Sequence, residues 1–155
     1  MTALTMRHEI VESTLLAVNG PNAISPEDWT SYCRCCGSLG YGGVLVIVDR
    51  SCSGPTSRQR AESAKTFEER GKFPNVAVVT ASSAHRGIVT VMSWVQRANL
   101  RAYSPARLAE ALRYAGVEPS AWGRILQRVH ELALSLDAPW IVQNITLDPA
   151  SEVHP

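Results

Sequence analysis

The sequence predicts an α/β fold: a mixed, mostly parallel sheet of four to five strands, covered by helices, with an additional C-terminal helix. Three observations carry this. The run Val44-Leu45-Val46-Ile47-Val48 is apolar throughout, mostly β-branched, and closes on Asp49, as a strand buried on both faces does. Asn75-Val76-Ala77-Val78-Val79-Thr80 has the same make-up. Segments with apolar residues at helical spacing alternate with these runs, and such alternation implies right-handed crossovers between parallel strands.

Taken in order, residues 7 to 19 read as extended. His8, Ile10 and Glu12 alternate with Glu9, Val11 and Ser13, and Leu15-Leu16-Ala17-Val18 then runs into the turn residues Asn19-Gly20-Pro21-Asn22. One long bent strand or a hairpin turning near Glu12-Ser13 satisfies this pattern. Ser25-Pro26-Glu27-Asp28 starts a helix, with a serine cap, a proline in the first turn and an acid three residues after the cap. Trp29, Tyr32, Cys33 and Cys36 then share one face. After the central strand, Thr56 or Ser57 caps a polar helix whose apolar stripe is Ala61, Ala64 and Phe67, and Gly71 stops it. The next helix, from about Ala84 to Arg97, carries Ile88, Val91, Met92 and Val95 as its core face, flanked by Val89 and Trp94. Leu100-Arg101-Ala102-Tyr103 is a short strand, and Ser104-Pro105 opens a helix reaching Ala115.

Pro119-Ser120 opens the last helix, in which Trp122, Ile125, Leu126, Val129, Leu132, Ala133 and Leu136 recur at helical spacing. Its wide apolar face is expected to pack on the helix from Ala84 to Arg97. Residues 1–136 then make a single domain and residues 137–155 an extended C-terminal tail. Read as doubly buried, the central strand should not tolerate a carboxylate at Val46, and Val46→Asp is expected to prevent folding.

Composition sets limits on function. With 45% hydrophobic and 19% charged residues the chain is globular, and 155 residues suffice for one sizeable core. A formal net charge of +1 provides no general field towards nucleic acid or an anionic membrane. Arg97, Arg101, Arg107, Arg113, Arg124 and Arg128 are dispersed among acids and read as solvated faces. The opening residues lack the basic start and apolar run of a signal peptide, and no stretch is long enough to span a membrane. A cytoplasmic location is expected, with the four cysteines as reduced thiols.

Three groups of residues invite a functional reading. Cys33, Cys35 and Cys36 resemble half a zinc site with Cys52 as a fourth ligand. A strand of about 20 Å separates the two ends, however, against zinc–sulfur bonds of about 2.3 Å. No metal and no cofactor is expected; Cys33 and Cys36 read as core, and Cys35 as the most reactive thiol. The second group lies where parallel strands end, the usual ligand edge of an open α/β sheet. Ser51, Ser53, Thr56, Ser82, Ser83, His85 and Arg86 fall there and suit a phosphate, a carboxylate or phosphorylation. Cys52, His85 and Asp49 supply the residue types of a nucleophile set, but no elbow motif frames Cys52, and no enzyme is expected. The third group is an apolar excess, Trp94, Trp122, Trp140 and Ile141, which suits docking of a protein partner, a second copy of the chain included.

The order of elements resembles the STAS domain, the fold of anti-sigma-factor antagonists. The resemblance rests on Leu15-Leu16-Ala17-Val18-Asn19-Gly20, the capped helix from Ser25, Val44 to Asp49, Val76-Ala77-Val78-Val79, and Leu100-Arg101-Ala102-Tyr103-Ser104-Pro105. It covers residues 7 to 116. It implies a non-enzymatic regulatory domain of bacterial signalling that binds protein partners. In the antagonists a serine in a Ser-Ser-Gly turn is phosphorylated. Here Ser51-Cys52-Ser53-Gly54 occupies a comparable turn, with Arg50 where the antagonists carry an acid. Ligand-binding relatives of the fold imply an alternative, a small anionic or lipid-like ligand at the C-terminal edge of the sheet.

Overall fold

The computed structural model describes residues 4–147 except 72, 97 and 98, and the side chains of 93–96 also lie outside the description. Five strands, β1 (Met6–Val11), β2 (Thr14–Asn19), β3 (Gly43–Val48), β4 (Asn75–Val79) and β5 (Leu100–Tyr103), form one sheet in sequence order. β1 and β2 are an antiparallel hairpin, and every later pairing is parallel. The mixed, mostly parallel sheet is thus the one the sequence predicts. The hairpin turns at Glu12 (φ 51°) and Ser13 (φ 61°), the left-handed pair that matches the twist of a two-residue turn.

Strand order explains the layering. Each parallel connection advances by one strand in the same direction, and right-handed crossovers then deliver their helices to one face. α1 (Pro26–Cys36), α2 (Ser57–Arg70) and α3 (Ser83–Gln96) share that face with Leu15, Ala17, Val44, Val46, Val48, Val76 and Val78. The alternate strand residues, Leu16, Val18, Leu45, Ile47, Ala77 and Val79, point the other way. They are covered by α4 (Leu108–Tyr114), α5 (Trp122–Ser135) and α6 (Pro139–Asn144).

The helix starts follow the sequence closely. Ser25 Oγ accepts from Asp28 N at 3.1 Å, Pro26 occupies the first turn, and Trp29, Tyr32, Cys33 and Cys36 are buried. Thr56 and Gln59 form a reciprocal capping box, and Gly71 (φ 90°) closes α2 in the left-handed region. The stripe of α2 is narrower than predicted: Phe67 is buried, Ala64 half-buried and Ala61 exposed.

Several expectations require correction. α5 does not pack on α3; the sheet lies between them. The right-handed crossovers fill the first face, so the second face remains for the later chain to cover. Arg128–Glu9 and Arg124–Glu12 ion pairs tie α5 to β1 and to the turn after it there. Trp122 and Ile141 are therefore core residues and not surface: Trp122 is 2% exposed, with Nε1 donating to Val117 O at 3.0 Å, and Ile141 is fully buried. Trp140 is half-buried against the same cluster, and the side chain of Trp94 lies outside the described residues. The chain after Leu136 does not run extended. It forms α6, and Ile145 follows it into the core; residues 148–155 lie outside the description. The predicted core face of α3 is corrected in part: Val89 is buried and Met92 half-buried, Ile88 and Val91 are 44% and 57% exposed, and the side chain of Val95 lies outside the described residues. α3 packs chiefly against β5, off the centre of the sheet, so one side of it faces outwards. No helix among the described residues is long and apolar enough to cross a membrane.

Candidate functional site

Because α2 packs chiefly on α1 and α3 chiefly on β5, a crevice remains between α2 and α3. Its floor is the helical face of β3 and β4, with Val46, Val48, Val76 and Val78; Phe67 lines one wall and Val89 and Met92 the other. The cavity volume is about 80 Å³. Exposed Ile88 also lines it, so the crevice reaches the surface.

One end of this apolar space is polar. Asn19 is the last residue of β2, and strand alternation places it beside Leu15 and Ala17 on the helical face. It is 1% exposed, lines the crevice, and its Oδ1 has no hydrogen-bond partner. Burying an unpaired amide costs about 1–3 kcal/mol, so such a group in a well-packed sheet calls for a reason. His85, in the first turn of α3, lines the same space, and its Nδ1 is likewise buried and unpartnered. Burial, and after it the charge of Arg60, lowers the pKa of His85, which favours neutral imidazole at neutral pH. The imidazole lies against Gly54: a Cβ added there would stand 2.6 Å from His85 Cε1, and φ of Gly54 is +80°, so glycine meets both requirements. Arg60 lines the crevice from α2, its guanidinium donating to Pro55 O at 2.9 Å and Ser57 Oγ at 3.0 Å. It is the only Lys or Arg among the described lining residues, and no Asp or Glu is among them.

Of the seven residues predicted at the strand ends, only His85 lines the crevice. The others serve the turns. Ser51 N donates to Asp49 Oδ1 at 2.9 Å, Thr56 caps α2, and Ser82 Oγ accepts from His85 N at 3.1 Å. Arg86 Nη1 donates to Thr80 O at 2.8 Å, which ties its guanidinium to the loop after β4. Ser53 and Ser83 are exposed. Asn19 and Arg60 were not singled out from the sequence. The signal was present for Asn19, since a polar residue closing an apolar strand parallels Asp49 at the end of β3.

The nucleophile set does not assemble. The Asp49 carboxylate is used within its own turn, and Cys52 Sγ accepts from Gly54 N at 3.4 Å. Burial raises the Cys52 pKa, which disfavours the thiolate. Burial pushes the Cys33 thiol up to about 12, with the nearby Glu62 adding to the rise, and burial raises Cys35 and Cys36 as well. Cys33 and Cys36 are core, and Cys35 is half-buried. Among the described residues no three His, Cys, Asp or Glu side chains gather as metal ligands.

The fold and site define an α/β domain with an apolar crevice that ends in unpaired hydrogen-bonding groups. Comparison with known proteins finds no matching family model, no matching curated protein and no matching solved structure.

Proposed function

We propose that the protein is a non-enzymatic binding domain that takes a small lipid-like ligand into the crevice between α2 and α3. The observation that carries this reading is the buried, unpartnered Asn19 amide within an otherwise apolar space. Ligand sites combine apolar walls with a few convergent polar groups, and an unpaired amide is a fixed cost that a ligand can relieve.

The test is a titration of ¹⁵N-labelled protein with hexanoate, 1-hexanol and hexylamine as separate probes. Saturable shifts at the amides of Val46, Phe67, Val78 and Val89 from at least one probe are expected. If all three leave these amides unmoved to millimolar concentration, the ligand reading is wrong.

A second reading, the regulatory protein-interaction module implied by the STAS resemblance, is supported by exposed Ile88 and Val91 on α3. The two readings meet on one helix, since α3 both walls the crevice and shows Ile88 and Val91 to the exterior. Light scattering of the wild type and of Val91→Lys tests self-association through this face, with a dimer converted to monomer as the supporting outcome.

A further inference from the structure

We infer that the ligand of the crevice is a short- to medium-chain monocarboxylate whose head lies at Asn19 and Arg60 and whose tail runs along Val46 and Val78 towards Ile88. This deepens the reading above and rests on it. Volume sets the first limit. At about 80 Å³ the space is roughly half the 150 Å³ that admits benzene in an engineered apolar cavity. A single chain fits this space better than a ring system, and the rest of a longer chain leaves by the surface opening beside Ile88.

Charge sets the second limit. Arg60 is the only Lys or Arg among the described lining residues, and no Asp or Glu faces it across the crevice. Two of its hydrogen bonds hold Pro55 O and Ser57 Oγ, which fix the guanidinium at the N-terminal turn of α2 and leave further N–H donors on the same fork. An ammonium head would meet this charge with nothing to balance it, whereas a carboxylate would be attracted to it. Hydrogen bonding sets the third limit. The unpaired Asn19 Oδ1 accepts from a hydroxyl as it stands, and a half-turn of the amide about its last side-chain bond presents Nδ2 to a carboxylate instead, so the amide alone does not choose between acid and alcohol. Arg60 does, because its guanidinium attracts the full negative charge of a carboxylate, which a neutral hydroxyl lacks.

The experiment is isothermal titration of the full chain with sodium hexanoate, 1-hexanol and hexylamine at one ionic strength, on wild type, Arg60→Gln and Asn19→Leu. Hexanoate is expected to bind wild type about tenfold or more tightly than 1-hexanol, with no binding of hexylamine, and Arg60→Gln should abolish that preference. Asn19→Leu should lose hexanoate binding while remaining folded by circular dichroism. Equal affinity for alcohol and acid, or a preference that survives Arg60→Gln, would overturn the carboxylate assignment while leaving the crevice a ligand site. Failure of all three probes would overturn both readings together.

Discussion

The two faces of the sheet are made from the same strands and end in different states. On the α4–α6 face, α5 contributes Trp122, Ile125, Leu126, Val129, Leu132 and Ala133, and the strand residues beneath are sealed at 0% exposure. On the α1–α3 face, α2 contributes only Phe67 and Gln59 as buried side chains, and Val46 and Val78 keep 9% and 8% of their surface. The apolar character of the strands cannot account for this, since β3 presents Val44, Val46 and Val48 to the open face and Leu45 and Ile47 to the sealed one. The covering helices can. A helix with a wide stripe of long apolar side chains closes the surface beneath it, whereas one with a narrow stripe leaves space. The unpaired Asn19 Oδ1 lies on the open face.

The largest effect that sharpens this comparison comes from neighbouring carboxylates in β3. Ile47→Asp, on the sealed face, should prevent folding, because an unpaired buried charge costs several kcal/mol against a total stability of about 5–15 kcal/mol. β3 is buried on both faces as the sequence predicts, but Val46, on the crevice floor, keeps 9% of its surface, so Val46→Asp should retain more folded protein than Ile47→Asp. Soluble yield and far-ultraviolet circular dichroism measure both. If the two variants fail alike, the crevice floor is as closed as the other face.

Next in size, Ile125→Ala should cost about 2–5 kcal/mol in urea unfolding, as buried large-to-small changes do. Met92→Ala, in the crevice wall, should cost less than about 1 kcal/mol, because the space beside it is already open. Comparable losses would place both helices in equally tight cores.

Asn19→Leu should raise stability by about 1 kcal/mol while it removes ligand binding. It replaces an unpaired amide with an apolar side chain, and the empty crevice has room for the added volume. A drop in the urea midpoint would show that the amide has a structural partner in solution.

The smallest effect is a pH dependence of the open face. His85 and His8 both have folded pKa values below the usual 6.5, His85 through burial and Arg60, His8 through burial and Arg7 against the opposing pull of Asp28. A lowered folded value means that the unfolded chain binds more protons in the window below 6.5. The stabilisation is therefore complete above that value and is lost as pH falls through the lowered folded values. His85→Gln should flatten, without abolishing, the fall in urea midpoint between pH 7 and pH 5. An unchanged slope would remove His85 from the account.

How much of this was legible beforehand differs between fold and site. The sequence by itself determined the elements. Four to five strands, the cap at Ser25, a cap at Thr56 or Ser57, the stop at Gly71 and the apolar face of α1 all follow from neighbours within a few residues, because alternation, capping and turn chemistry are local. The partners of those elements were decided only in three dimensions. That α5 seals the face opposite α3 follows from crossover handedness applied to the strand order β1-β2-β3-β4-β5, an order that local patterns do not encode. Trp122 and Ile141 looked like surplus apolar surface because the face that receives them is assembled from strands much earlier in the chain. The crevice, with Asn19 from β2, Arg60 from α2 and His85 from α3, exists for the same reason: its polar end joins three distant segments, and its volume is what the narrow stripe of α2 fails to fill.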